Sequence, residues 1–431
     1  MIDLLEPFRS TTAWWTIAVG AATNVACALV GCYLVLRRMS LMGDALAHAV
    51  LPGLVLAFIF SGSLNIVPLF IGAVTIGLLS TFLIQSLHQY GRVPADASMG
   101  VVFTSMFALG VVLVKRYLSG IHFDAACIYE GLLQFAALNT VTIAGLEVPR
   151  TLLTIGPVLL LNLLVITLFW KELKLSSFDA NLASAMGFSA TTMHYLLMVL
   201  VAVTTVASFE AVGSILVVAM LIVPAATAHL LCDRLGYMVI LSCCSGVLSS
   251  IGGYWLARLW NVNPAGSMTV VAGGLYGLAV LFSPRYGIIS TISRNLQTSM
   301  RVTCEDILAM LYRVEETDAL HRLDASSAVQ ALGGGFVARW GISSLVRQGH
   351  VVRIKQGLQL TDMGRAAARP LVRSHRLWEA YLVQHLGLPL DHIHEPAHRV
   401  EHFIDEKLRH NLEEAIDDTG RDPHGRDIPS G

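Results

Sequence analysis

The chain has 431 residues, 55% of them hydrophobic and 14% charged, with a formal net charge of −1. A soluble domain carries about a quarter charged residues, so a wholly soluble protein is excluded. The near-neutral balance offers no whole-chain attraction for nucleic acid or another polyanion.

The charge is unevenly placed. Residues 1–284 hold 22 charged side chains, while the last 147 residues hold 37, together with ten of the fifteen histidines. The chain therefore divides near Ser283 and Pro284 into a membrane body and a water-soluble tail. The seven cysteines show no paired spacing of a disulfide framework or zinc site. Five of them (Cys27, Cys32, Cys232, Cys243, Cys244) lie in apolar runs, where packing is expected. The first apolar run is long enough to span and lacks a cleavage site, so no cleavable signal peptide is expected.

About 20 apolar residues cross a hydrocarbon core of about 30 Å. Candidate spans are 14–36, 41–60, 65–87, 98–116, 152–170, 192–209, 211–232, 237–257 and 267–284. The segment 117–151 leaves room for a re-entrant stretch at 128–138. With nine spans and a cytoplasmic tail, the inner loops hold seven Lys and Arg residues and the outer ones five, a weak bias in the expected direction. No Gly-x4-Gly-Lys-Ser/Thr phosphate loop occurs, so the chain is expected to bind no nucleotide by that device.

Ionisable side chains inside spans are costly and mark function first. The second span reads Ser-Leu-Met-Gly-Asp-Ala-Leu-Ala-His-Ala-Val-Leu-Pro-Gly over 40–53. Asp44 and His48 are four apart, hence on one helical face. At about 1.5 Å per residue from Arg38, His48 lies about 15 Å deep. A carboxylate and an imidazole together suit a divalent cation of the Mn, Fe or Zn kind. Pro52 and Gly53 predict an interrupted helix, where transport sites form. An Asp–His pair that only joins helices is the plainer alternative. His194 and His229 sit at span ends and read as anchoring or packing residues, and Glu210 as part of a short outer turn.

In the tail, 303–365 read as short helices followed by a strand pair turning at Gly357, the pattern of a winged helix. Residues 366–416 read as helices dense in His and Glu. His394, His398 and His402 fall at i, i+4 and i+8, with Glu401 beside them, on a narrow band of one expected helix. That pattern suits a metal site; a solvated amphipathic face is the alternative.

Three stretches of the body carry a resemblance: 40–53, the segment Phe178-Asp-Ala-Asn-Leu-Ala-Ser-Ala-Met-Gly187, and 212–228. Together they resemble the metal-type ABC transporter permease family, importers of manganese, zinc or iron. The resemblance covers 10–284. It implies that Asp44 and His48 match the intramembrane metal position, and that Phe178, Asp179, Ala183 and Gly187 belong to the cytoplasmic segment coupling to the ATPase. It further implies a separate ABC ATPase subunit, an extracytoplasmic metal-binding protein and a second permease chain, identical or sister. The location implied is the bacterial plasma (inner) membrane with the tail in the cytoplasm.

The tail resembles the iron-dependent repressor family through Leu360-Thr-Asp-Met-Gly364, Arg373-Ser-His-Arg-Leu-Trp-Glu379, the stretch 393–402 and Asp422-Pro-His-Gly-Arg-Asp-Ile-Pro429. Position by position, this resemblance implies one metal site from His375, Glu379 and His394 and another from Asp306, His398, Glu401 and His402. It expects a further acidic ligand where this chain has Ala309, and more often Cys or Glu where it has His398. For DNA, only Arg339, Arg347, Arg353 and Lys355 surround the presumed reading helix, whereas phosphate contact uses several such groups.

The expected architecture is thus an all-α polytopic membrane protein of about nine transmembrane helices, with a C-terminal soluble winged-helix and helical metal-binding domain. The parts are 1–290 permease, 291–302 linker, 303–365 winged helix and 366–431 metal-binding and dimerisation domain. The expected function is the permease subunit of an ABC-type importer for a divalent transition metal, not itself an enzyme, with a metal-sensing tail. The rival reading is a membrane-tethered, metal-dependent transcription regulator.

Overall fold

The computed structural model describes residues 11–62, 66–117, 133, 139–143, 146–317, 323–354, 357–416 and 420–430. The chain forms two compact units, Met1–Ser290 and Thr291–Gly431.

The first unit is a bundle of apolar helices: α1 Thr11–Leu36, α2 Met42–Ala49, α3 Leu51–Ser61, α4 Ile66–Gln89 and α5 Ala95–Tyr117. After a hairpin of β1 Thr140–Ile143 and β2 Leu146–Pro149 come α6 Arg150–Leu168, α7 Trp170–Phe178 and α8 Ala180–Ala185. They are followed by α9 Ala190–Val212, α10 Ser214–Leu231, α11 Leu235–Trp260 and α12 Pro264–Phe282. Among the described residues eight helical stretches are long and apolar enough to cross a membrane, α2 and α3 together counting as one. The seventh expected span, 211–232, is the exception, with a shorter apolar helix at Leu216–Leu231. Glu210, expected in a turn, lies within α9, and the turn falls at Gly213.

α1 is buried along most of its length and packs against α6, α9, α10 and α11. An apolar helix surrounded by others is the centre of a bundle. Its polar side chains join it to its neighbours: Asn24 Nδ2 donates to Ser250 Oγ at 2.8 Å, and Asn162 Nδ2 of α6 donates to the Ala26 carbonyl at 3.2 Å. Side-chain amides and hydroxyls bind helices together in this way where water is absent. The outward faces carry exposed Leu160, Leu164, Leu168 and Ile240, as a lipid-facing surface requires. The cysteines in the described residues are free; Cys27 and Cys32 are buried, whereas Cys244 is exposed on α11 rather than packed. The β1–β2 hairpin, with Thr140 opposite Pro149, was not expected from sequence, and most of 128–138 lies outside the described residues.

α13, Ile288–Thr317, begins three residues before the second unit and is helical throughout 291–302, the stretch expected to be a linker. α14 Ala325–Ala331, α15 Phe336–Arg347 and the hairpin β3 Val351–Ile354 with β4 Gly357–Leu360 complete the winged helix. Its core is built from Ile307, Leu311, Ile342, Leu345, Val351 and Leu358. Gly357 opens the second strand instead of forming the turn itself. α16 Asp362–Leu386 then runs across the expected 365–366 boundary, followed by α17 His394–Val400 and α18 Glu406–Ala415. Leu377, Ala380, Ile404, Leu412, Ile416 and Ile428 form a separate core there.

Candidate functional site

Asp44 and His48 lie one turn apart on α2, with His48 Nε2 3.5 Å from Asp44 Oδ1. Their side chains are 46% and 32% exposed, so both reach beyond the bundle interior of a single chain. The His48 ring is flanked by Phe103 and Phe107 of α5, at centroid distances of 6.0 and 5.8 Å. The interruption expected behind the pair falls at Val50. Pro52 has no N–H to give to the His48 carbonyl, and the Gly53 N–H bonds instead to Val50 O at 2.9 Å.

Within 178–187, Phe178 ends α7 and residues 180–185 form the short, capped helix α8. Asp179 Oδ1 accepts from the N–H groups of Asn181 and Leu182 at 2.9 and 3.0 Å, closing the start of α8. At its end Gly187 takes φ +87°, which favours glycine, and the Phe188 N–H bonds back to Ala183 O at 3.0 Å. Ala183 is buried, while Phe178, Leu182 and Met186 are exposed. Just upstream, Arg37 at the end of α1 donates to Ser176 and Ser177 at 2.9 and 3.0 Å and lies 3.3 Å from His194 Nδ1. His194 thus has the packing role expected of it. Arg37 also ties the chain entering α2 to the chain entering α8.

The tail holds two clusters of metal-type donors among the described residues. In the first, His375 Nε2, Glu379 Oε1 and His394 Nδ1 form a triangle with sides of 3.0, 2.8 and 3.2 Å. In the second, His402 Nε2 lies 3.0 Å from Asp306 Oδ1 and 3.7 Å from Glu401 Oε1, and His398 Nδ1 lies 3.0 Å from Glu401 Oε1. The single helix expected to carry all three histidines ends at Val400, and Glu401–Phe403 tightens into a 3-10 turn. His394, at the start of α17, joins the first cluster; His398 on its last turn and His402 on the 3-10 turn join the second. Glu401 connects the two, its Oε2 lying 2.6 Å from His375 Nδ1 and 3.3 Å from Arg313 Nη2.

Burial alone would lower the His375 pKa, but Glu379 and Glu401 carry it above the ordinary imidazole value. His402 behaves alike, raised against burial by Asp306 and Glu305. Burial would raise the Glu379 carboxyl, yet His375 and His394 hold it at about 2. Both clusters thus offer ionised oxygens beside imidazoles, a donor set that fits a first-row divalent cation. Asp306 Oδ1 is buried without a well-aligned hydrogen-bond donor, although His402 Nε2 is near; a bound cation would satisfy it.

A family description of ABC 3 transport matches residues 10–283, about two thirds of the sequence. The chain belongs to the ABC 3 transport family. It is 46% identical over 283 residues to the manganese transport system membrane protein MntD of Bacillus subtilis, covering 65% of this chain and 96% of that one. It is 41% identical over 273 residues to the zinc transport system membrane protein TroD of Treponema pallidum, covering 63% and 74%. The solved structure of PsaBC from Streptococcus pneumoniae in complex with Fab superposes with a TM-score of 0.56 at 32% identity, covering 66% of this chain and 98% of that one. A second family, the iron dependent repressor metal binding and dimerisation domain, matches residues 361–430. This ABC 3 chain is therefore a multi-pass membrane protein with a repressor-type metal-binding domain attached.

In this permease the geometry adds residues that sequence reading passed over. Glu305 Oε2 lies 2.8 Å from His402 Nδ1, a carboxylate orienting an imidazole from behind. Arg313 neutralises part of the charge on Glu401. Glu305 was visible as one half of an acidic pair; Arg313 had no local signal. Ala309, where a further acidic ligand was expected, is a buried core residue. The presumed DNA-reading helix α15 presents exposed Phe336 and Trp340.

Proposed function

We propose that the chain is the membrane permease subunit of an ABC importer for a divalent transition metal, manganese or zinc among them, and that its tail senses the same ion in the cytoplasm. The observation that carries the reading is the Asp44–His48 pair, one ligand face on α2 backed by an interrupted helix. Two donors fill half of a four-coordinate shell. A second permease chain related by a two-fold axis would supply the other half from the same two residues. Energy comes from an ABC ATPase subunit, and the ion is delivered by an extracytoplasmic metal-binding protein at the bacterial inner membrane. The test is ATP-dependent uptake of radioactive manganese or zinc by the chain reconstituted with its ATPase. Failure to transport either ion with ATP and binding protein present would overturn the reading.

The ATPase docks on 178–187, where exposed Phe178 and Met186 flank α8 and exposed Leu182 stands on it, the helix being fixed at both ends. Asp179→Ala is expected to cost about 1 kcal/mol of local helix stability through the lost cap. Phe178→Ser with Met186→Ser is expected to lower ATPase co-purification about tenfold or more while leaving the permease folded. Unchanged co-purification and unchanged metal-stimulated ATP hydrolysis in both variants would move the docking surface elsewhere.

The two tail clusters are the sensor. Exposed Phe336 and Trp340 on α15, against few nearby cations, favour a protein-facing or regulatory role over DNA reading.

A further inference from the structure

Between Arg285 and Thr303 the sequence holds three arginines and no acidic residue. The first half of α13 lies in this stretch, and its apolar side chains fall on one side. Ile288, Ile292 and Leu296 stand at i, i+4 and i+8, with Ile289 and Met300 beside them on the helical period. Thr291, Arg294, Thr298 and Arg301 occupy the opposite side. In its second half α13 buries Ile307, Leu308 and Leu311 in the winged-helix core. In the first half no residue is buried, and Ile288, Ile289, Ile292 and Leu296 are 48–53% exposed.

The helix starts where the bundle meets lipid. α12 ends at Phe282 and α13 begins six residues later at Ile288, and Leu278, Leu281 and Phe282 are exposed. The turn between them is firmly built. The Gly287 N–H donates to Ser283 O at 3.0 Å, and Ser290 Oγ donates to the same carbonyl at 2.7 Å. Tyr286 Oη donates to Asp233 Oδ1 at 3.0 Å, and Arg285 pairs with the same carboxylate. Asp233 lies between α10 and α11, so the first turn of α13 is held at that end of the bundle.

We propose that residues 288–300 form an interfacial helix on the lipid bilayer. Ile288, Ile289, Ile292, Leu296 and Met300 enter the boundary between headgroups and acyl chains, to a depth of about 5–10 Å. Thr291, Arg294, Thr298 and Arg301 face water. With no carboxylate in the stretch, nothing there is repelled by anionic headgroups. The same stripe of a second copy is a poorer occupant. Paired helices repeat apolar residues every 3.5 positions, and that repeat, continued from Ile289, Ile292 and Leu296, meets Ser299 and Thr303. Lipid contact at this surface requires neither the transported ion nor the tail metal clusters.

The test places a genetically encoded, environment-sensitive fluorescent amino acid at one position of the full chain. The protein is held in nanodiscs of phosphatidylethanolamine and phosphatidylglycerol, with or without acyl-brominated lipid as quencher. Labels at 292 and 296 are expected to emit further to the blue and to be quenched about threefold or more above labels at 291 and 298, as insertion of one face requires. With the label at 300, Ile288→Ser, Ile292→Ser and Leu296→Ser together are expected to abolish that quenching. Thr291→Ser with Thr298→Ser is expected to preserve it. Quenching that is equal on both faces, or that only declines with distance from 288, would overturn the interfacial placement. Blue-shifted labels at 292 and 296 that brominated lipid does not quench would also overturn it, by putting protein, a second copy included, on the stripe.

Discussion

Alanine at Asp44 or at His48 is expected to reduce metal uptake about 100-fold or more, with the permease still inserted and still bound to its ATPase. The two side chains stand on one face of α2 with 3.5 Å between His48 Nε2 and Asp44 Oδ1. Charged and imidazole groups at membrane depth are retained against a cost of several kcal/mol, which the proposed transport role accounts for. Both are partly exposed within one chain, so truncation opens no closed cavity. Alanine is the best helix former, and losing Asp44 from the first turn costs only about 0.3–1 kcal/mol of helix-dipole interaction. In a two-fold assembly one substitution removes two of four ligands at once. The check is radiometal uptake normalised to the amount of assembled complex. Near-normal uptake by both variants would remove the pair from the transport path.

The pair itself was legible in sequence because hydropathy set the span, helical period set the shared face and Pro52–Gly53 marked the interruption. The tail ligands and their division into two sites were legible through resemblance, whereas the helical period alone put His394, His398 and His402 on one band of a single helix. Nothing local announces that α17 stops at Val400, so that Glu401 and His402 stand on a 3-10 turn beyond it. The stretch 291–302 reads as a linker because it is rich in Ser, Thr, Asn and Gln; Ile288, Ile292 and Leu296, at helical spacing, were the overlooked signal of α13. The β1–β2 hairpin was missed because two four-residue strands inside a long, only moderately polar segment give too short a period to detect. Contacts such as Arg313 with Glu401, 88 residues apart, depend on tertiary packing alone.

The double substitution His398→Ala with His402→Ala is expected to abolish metal binding at the second tail cluster and to free transport from control by internal metal. It removes both imidazoles facing Asp306 and leaves Glu401 with His375 and Arg313. Feedback requires that the metal bind the transporting and resting arrangements unequally. A coupling of about 1–3 kcal/mol corresponds to roughly 5- to 150-fold in the affected equilibrium. Protons compete with the metal for these histidines. Because the His375 and His402 pKa values are raised in the metal-free state, competition persists to higher pH than for ordinary imidazoles. Metal affinity at the tail is therefore expected to fall on acidification and to rise as pH climbs through those raised values. Point substitutions serve better than removal of everything after Ser290, which would cut α13 near its start.

Uptake into vesicles preloaded either with metal or with chelator, comparing the intact chain with the His398→Ala, His402→Ala variant, tests transport and sensing in one experiment. The intact protein is expected to import quickly against chelator and roughly 5- to 150-fold more slowly against saturating internal metal. The variant is expected to import at the fast rate in both. Identical responses of the two proteins to internal metal would contradict a sensing tail, and absence of ATP-driven uptake by either would contradict the permease itself.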